Sequence, residues 1–413
     1  MFNKEKTKVI NLGCRLNFFE SEVINGILSN KKHEKKIVVN TCAVTNNAVR
    51  KSLQEVRKLA KYHPDKEIIV TGCASQLEKG LFENLKNVSR IIDNKYKTVP
   101  DAYEFENSLV GEKYKFPELA NTESKRTRAT IQIQQGCNHR CTFCIIPYGR
   151  GDSKSLPFDQ INKRAERLIE SGYSEIVMTG VDLTSYGIDL AGKPKLGNVL
   201  RRLLNFQPKL RRLRLSSIDP AEIDDDLMDL LLKEKRILPH LHLSLQSGDN
   251  LILKRMKRRH NREEVIKLCH DLRFVRSDFT FGADIIVGFP TETNQMFKNT
   301  LELIETCEFT NVHIFPYSPK DGTPASKMPQ IKEEEKKLRV EILRNKCKDI
   351  LHQKLNKEIG KYSSILFESH KMSYSDGYFK VKTMESKNSI KPGSIANVKI
   401  VSRQGDSLIA ELK

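Results

Sequence analysis

Six of the nine cysteines in this chain stand where they could do chemistry. Cys137, Cys141 and Cys144 lie at C-x3-C-x2-C spacing in the polar stretch Gly136-Cys-Asn-His-Arg-Cys-Thr-Phe-Cys144. Thiolates are soft ligands suited to iron–sulfur clusters, and a short loop lets several sulfurs converge on one cluster. Three cysteines on a four-iron cubane leave one iron open for a small molecule. Structural zinc is nearly always four-coordinate, and no fourth cysteine or well-placed histidine completes this set. His139 lies inside the loop, where it would compete with its flanking cysteines.

Cys14, Cys42 and Cys73 form a second set that only topology can bring together. Each ends a short apolar run: Lys8-Val-Ile-Asn-Leu-Gly-Cys14, Lys36-Ile-Val-Val-Asn-Thr-Cys42 and Glu67-Ile-Ile-Val-Thr-Gly-Cys73. A helical stretch follows each run, at Glu20–Leu28, Ala48–Tyr62 and Leu77–Leu85. Strand, turn and helix recurring at intervals of 28 and 31 residues predict a doubly wound α/β domain with a parallel sheet. The carboxyl ends of such strands share one edge, where ligands bind. The three cysteines should therefore converge there, as ligands of a second cluster with one iron not held by protein. Cys269, Cys307 and Cys347 lie in amphipathic stretches and read as core packing.

The elements that must position the C-x3-C-x2-C loop begin with the alternating run Thr130–Gln135, a strand that leads directly into it. Five more strand-like runs follow between helical stretches: Glu175–Gly180, Leu213–Ser217, His240–Gln246, Gly282–Gly288 and Asn311–Tyr317. Six β/α units predict a partial (β/α)6 barrel, whose functional residues sit at the strand C-termini. Thr179, Ser216, Ser217, Gln246, Ser247 and Asp284 occupy such ends. Lys254-Arg-Met-Lys-Arg-Arg259 is either a phosphate contact or a solvated face, and His240, His242 and His260 read as ordinary polar residues.

Ile331–Gly360 reads as one or two helices, and after it short β runs punctuated by Gly377, Gly393 and Gly405 predict a small closed barrel. Eleven Lys or Arg oppose six Asp or Glu from Lys354 on, with Tyr374, Tyr378 and Phe379 among them. Basic groups with interleaved aromatics suit single-stranded RNA. The whole chain carries +19, which favours a polyanionic partner. No apolar run approaches membrane-spanning length, and Met1–Lys8 is charged, so a soluble, cytoplasmic protein with reduced thiols is expected, with no membrane partner.

The loop spacing, with Phe143 just before its third cysteine, resembles the radical S-adenosylmethionine (SAM) superfamily. The whole chain is similar to the radical-SAM methylthiotransferases, and specifically to the MtaB type. The residues that carry this are Gly13-Cys-Arg-Leu-Asn17-Phe-Phe-Glu-Ser21, Asn40-Thr-Cys-Ala-Val-Thr45, Leu213-Arg-Leu-Ser-Ser217, Leu243-Ser-Leu-Gln-Ser-Gly248, Gly282-Ala-Asp-Ile-Ile-Val-Gly-Phe-Pro290 and Phe315-Pro-Tyr-Ser-Pro319. Ala74, Lys154 and Leu156 depart from the family pattern without touching either cysteine set.

The resemblance implies three domains: 1–120 with an auxiliary [4Fe-4S] cluster, 121–350 as the radical-SAM core, and 351–413 as a TRAM-like, RNA-binding small all-β barrel. It implies an enzyme that adds a methylthio group to C2 of N6-threonylcarbamoyladenosine at position 37 of tRNA. Two [4Fe-4S] clusters and two SAM serve each turnover. One SAM methylates a sulfur at the open iron of the Cys14, Cys42 and Cys73 cluster. A second, at the open iron of the Cys137, Cys141 and Cys144 cluster, yields the radical that removes hydrogen from C2. Phe143, Ser217, Gln246 and Asp284 are then candidate SAM contacts, and Arg150, Arg258, Arg259 and Tyr378 candidate tRNA contacts. An electron donor such as flavodoxin or ferredoxin and a sulfur source are implied partners. Within the class the alternatives are N6-isopentenyladenosine in tRNA and a ribosomal-protein aspartate.

Overall fold

The apolar side chains of Lys36–Thr41 and Glu67–Gly72 leave the backbone on both faces, so each strand must be covered twice. In the computed structural model they are. Strands β1 (Lys8–Asn11), β2 (Lys36–Thr41), β3 (Glu67–Gly72) and β4 (Val88–Ile92) form a parallel sheet in that order. Ile37, Val39, Ile68 and Val70 pack with Val49, Val56 and Leu59 of helix α2 (Asn46–Tyr62) on one face. Val38 and Ile69 pack with Ile24 of helix α1 (Arg15–Ile27), and with Tyr103, on the other. This is the doubly wound arrangement that the repeated runs predict.

The structure describes residues 8–29, 36–104, 114–118, 127–369, 372–384 and 391–412; the boundary expected at 120/121 lies outside them. The chain divides into two compact units. The first takes the N-terminal region together with Gln135–Lys154 and Ser318–Ser326, so the cysteine loop belongs to it. The second takes the strand before Gln135, Ser155–Tyr317 and the chain from Lys327 on.

In the second unit, Arg128–Gln132, Glu175–Thr179 and Arg212–Leu215 form one parallel sheet. Ser217–Ile218, His240–Gln246, Thr280–Val287 and Asn311–Pro316 form another. A break at Ser216 separates the two halves of one strand, and helices alternate with strands throughout, as expected of a partial (β/α)6 barrel. Two of the helices start where side chains satisfy free N–H groups: Asp224 caps Leu227, and Asn261 and Glu264 form a capping box. Ile331–Gly360 yields one continuous helix, Glu333–Glu358, which runs through residue 350. Leu355 on that helix enters the core of a closed five-stranded barrel, beside Phe367, Phe379, Val381 and Leu408.

The small barrel docks through ion pairs at the strand N-termini. Glu175, almost fully buried, accepts from Arg212 Nε at 2.8 Å and Arg214 Nε at 2.9 Å, and Arg128 stands 3.9 Å away. Arg212 also meets Asp376 at 2.6 Å, and Arg128 donates to Glu368 at 2.7 Å. Tyr378, a candidate RNA contact on sequence, is spent here. Its ring stacks on His240 and on Tyr374, each at 4.9 Å between centroids, with Arg214 also over it. These contacts hold the ring against the strand N-termini.

Burial alone would raise the Glu175 pKa, but Arg214, Arg212 and Arg128 outweigh it and hold it below the ordinary 4.5. The unfolded chain therefore binds the proton first. The stability Glu175 contributes is complete above pH 4.5 and is lost as pH falls through the folded value. Glu175→Gln should cost about 3 kcal/mol at pH 7 and abolish this acid-dependent part; urea unfolding at pH 7 and pH 4 measures both. Equal pH dependence in the two proteins would refute the assignment.

Candidate functional site

Each N-terminal cysteine stands where a parallel strand hands over to a helix. Cys14 immediately precedes α1, Cys42 follows Thr41 at the end of β2, and Cys73 opens the short helix α3 (Cys73–Leu77). Gly72 makes the last turn possible. Its φ is +103°, and a Cβ there would lie 2.4 Å from the Thr41 backbone. The strand tips are then tied together. Thr41 Oγ1 donates to Thr71 O at 2.7 Å and accepts from Ser75 N at 3.1 Å, while Asn17 Nδ2 donates to Thr41 O at 2.8 Å.

The three thiols come within electrostatic reach of one another. Burial, with the charges of Cys14 and Cys73 added, pushes the Cys42 thiol up to about 11. Cys42 and Cys73 are buried and Cys14 is exposed. Three converging thiols, one of them held protonated by burial and the set open on one side, fit an iron–sulfur cluster, whose cationic irons take the place of protons.

A charge network that sequence reading missed lies behind them. Glu20, on the buried stripe of α1 with Leu16, Val23 and Ile24, accepts from Arg150 Nη1 and Nη2, each at 2.9 Å. It also pairs with Lys97 at 2.6 Å. Arg150 donates to Asn17 Oδ1 and, at 3.1 Å, to Gln135 Oε1. Burial would raise the Glu20 pKa, but Arg150 and Lys97 hold it below the ordinary 4.5. Arg150 stays charged beside the thiols, burial pulls the Lys97 ammonium below its ordinary value against the attraction of Glu20, and both feel Cys73. The Arg150 guanidinium, expected on sequence to meet tRNA, is enclosed here with its donors engaged by Glu20, Asn17 and Gln135. The clue in the sequence was an acidic residue on an otherwise apolar helix stripe.

The second cysteine set lies in the same unit. Cys137 N donates to Gly151 O and Cys144 N to Cys141 O, both at 3.1 Å. Arg140 donates to Cys137 O and to Asp152 Oδ1, both at 2.8 Å, which steadies the loop. Cys137, Cys141, Cys144 and Phe143 are half-buried, a position suited to a ligand that must reach the open iron.

Two features join the sets. A Cβ at Gly149 would be 3.9 Å from Cys73 Cβ and 3.3 Å from Leu77, so the helix after Cys144 lies directly against the helix that carries Cys73. Asn94 Nδ2 then donates to Gly149 O at 2.7 Å and to Cys73 Sγ at 3.7 Å. In addition, Ser318–Ser326 fastens to both: Asn46 N donates to Ser318 Oγ at 3.0 Å, and Ala325 N to Thr142 O at 2.9 Å.

In the second unit the candidate SAM contacts fall on neighbouring strands. Ser217 pairs in register with His242, and Gln246, with φ of +75°, pairs with Ile285 beside Asp284. Asp284 Oδ1 meets His242 Nε2 at 3.1 Å and His313 Nδ1 at 3.0 Å, so His242 is more than an incidental polar residue. Arg258 and Arg259 are both drawn into ion pairs, Arg258 half-buried and Arg259 exposed at the surface. Arg258 pairs with Asp219 at 2.9 Å, and Arg259 pairs with Asp219 at 2.8 Å and with Glu222. Cys269, Cys307 and Cys347 are buried, as core packing requires.

Residues 131–304 match the model of the Radical SAM superfamily, and residues 6–93 match Uncharacterized protein family UPF0004. The threonylcarbamoyladenosine tRNA methylthiotransferase MtaB of Rickettsia prowazekii is 43% identical, with 92% of each chain covered. The chain belongs to the MtaB-type radical-SAM methylthiotransferase family. The MtaB protein of Bacillus subtilis is 32% identical over 94% of this chain and 92% of its own. A tRNA-2-methylthio-N(6)-dimethylallyladenosine synthase of Orientia tsutsugamushi is also 32% identical, over 97% of both. Among solved structures, the radical SAM methyltransferase TsrM of Kitasatospora setae shares the fold with a TM-score of 0.57, at 14% identity, over 78% of this chain and 77% of its own. Among the described residues no helix is long and apolar enough to cross a membrane.

Proposed function

We propose that this family member transfers a methylthio group to C2 of N6-threonylcarbamoyladenosine beside the tRNA anticodon, using two [4Fe-4S] clusters and two SAM per turnover. The observation that carries this reading is that one unit holds both three-cysteine sets, joined at Gly149 and Asn94. When bound, the cluster of Cys137, Cys141 and Cys144 supplies, with SAM, a 5′-deoxyadenosyl radical, and that of Cys14, Cys42 and Cys73 holds the sulfur to be transferred. The chain's own residues position and insulate. Asn94 donates to Cys73 Sγ, and the Glu20, Arg150 and Lys97 network offsets the negative charge of the thiolate set. Phe143, Ser217, Gln246 and Asp284 are the SAM contacts of this reading, and the reaction consumes electrons from a cytoplasmic donor and sulfur from a separate source.

The test is mass spectrometry of tRNA nucleosides from cells lacking the gene, with and without the wild-type copy. The copy should restore methylthio-threonylcarbamoyladenosine. Restoration of methylthio-isopentenyladenosine instead overturns the substrate, and no change in either nucleoside overturns tRNA.

A further inference from the structure

A cavity of about 560 Å³ opens in the first unit, lined by Asn46, Leu77, Glu78, Ile145, Tyr148 and Pro319–Gly322. Its walls are drawn from both cysteine sets. Leu77 ends the Cys73 helix and Glu78 caps it, Ile145 and Tyr148 follow Cys144, and Lys320 is close enough for its charge to be felt at Cys42. The volume is that of a small-molecule pocket, far more than a sulfide or methanethiolate needs.

Lys320 is the unusual member. It is only 5% exposed, yet its Nζ has no hydrogen-bond partner, and the nearest carboxylate, on Glu78, stands 3.8 Å away. A buried ammonium left without acceptors is costly, so its presence points to an anion that arrives with a ligand. Glu78 narrows the choice. A phosphodiester would meet its carboxylate as a like charge and has no proton to offer it. A ligand carrying both a carboxylate and N–H or O–H donors satisfies Lys320 and Glu78 together, against the apolar Leu77, Ile145 and Pro319. An isopentenyl group satisfies neither.

We propose that this cavity receives the N6 substituent of the target adenine, with Lys320 pairing its carboxylate and Glu78 accepting from its amide or hydroxyl. The assignment rests on the reading above and makes Lys320 a specificity-determining residue. It selects an amino-acid-bearing nucleoside over a purely apolar one.

The test uses the reconstituted full chain with tRNA bearing threonylcarbamoyladenosine, and the same tRNA with the threonyl carboxylate converted to its amide. Wild type should lose about 10- to 100-fold in kcat/KM on the amide, mostly through KM, the usual effect of removing a charge-assisted hydrogen bond. Lys320→Met should show that loss on the acid substrate and no further loss on the amide, while Lys320→Arg should restore discrimination. Iron content and circular dichroism matching wild type exclude misfolding; if Lys320→Met misfolds, the wild-type comparison of acid and amide decides alone. A wild type indifferent to the amide, or a Lys320→Met that still discriminates, overturns the proposal. A loss in Lys320→Met that is the same on both substrates, with an indifferent wild type, assigns the ammonium to a backbone phosphate and also overturns it. A wild type that turns over neither substrate, but acts on isopentenylated tRNA, overturns the functional reading instead.

Discussion

Cys42→Ala is expected to yield a protein that still cleaves SAM to 5′-deoxyadenosine but forms no methylthiolated nucleoside. Cys42 directly follows β2, the middle strand of the three that lead to the N-terminal thiols. Without it only two thiols remain in this set, too few to hold a four-iron cluster. Anaerobically reconstituted protein should bind roughly half the wild-type iron, because the Cys137, Cys141 and Cys144 loop is a separate set. Cys141→Ala should give the mirror result, with similar iron loss and no 5′-deoxyadenosine. Loss of all iron in Cys42→Ala, or methylthiolated product from either variant, would sink the division of labour between the two sets.

The second large effect is expected at Glu20. Glu20→Ala removes the carboxylate that pairs with both Arg150 and Lys97, each almost fully buried. Two uncompensated cations then remain in the interior, a change that costs about 3–5 kcal/mol, against about 1 kcal/mol for an ordinary substitution. Replacing Glu20 and Arg150 together by methionine should recover part of the stability, since apolar groups of similar size often replace a buried pair without penalty. The same double variant should bind less iron at Cys14, Cys42 and Cys73, because the guanidinium that faces those thiolates is gone. Urea unfolding and iron content together decide it. If Glu20→Ala lowers stability by under 1 kcal/mol, the network has been misread.

What could be read in advance was whatever lies within a short span or follows from strand topology. Cys137, Cys141 and Cys144 announce themselves by spacing. Cys14, Cys42 and Cys73 are legible because parallel strands must end on a common edge. The fold class was legible for the same reason. The residues that tune the site were not. Glu20 and Arg150 are separated by 130 positions, and Lys320 returns to the first unit from the far side of the barrel sequence. A lone Lys, Arg or Glu is exposed in most proteins, so nothing local in the sequence shows that Arg150, Arg258 and Arg259 each pair with an internal carboxylate. Tyr378 is similar: an aromatic among basic residues suits RNA, and its packing against Arg214, His240 and Tyr374 comes from residues distant in sequence.

The return of Ser318–Ser326 to the first unit also sets an order of events during synthesis. At the usual pace of translation, on the order of 10 residues per second, more than twenty seconds separate the emergence of Asn94 from that of Lys320. Throughout that interval the nascent N-terminal sheet has its three thiols but lacks the segment that fastens Asn46 to Pro319 and Thr142 to Ala325. Iron delivered early would meet an unfinished chamber exposed to oxidants. On the two-cluster reading, a truncation ending before residue 318 should therefore be a poor acceptor from the iron–sulfur assembly machinery even though all six cysteines are present.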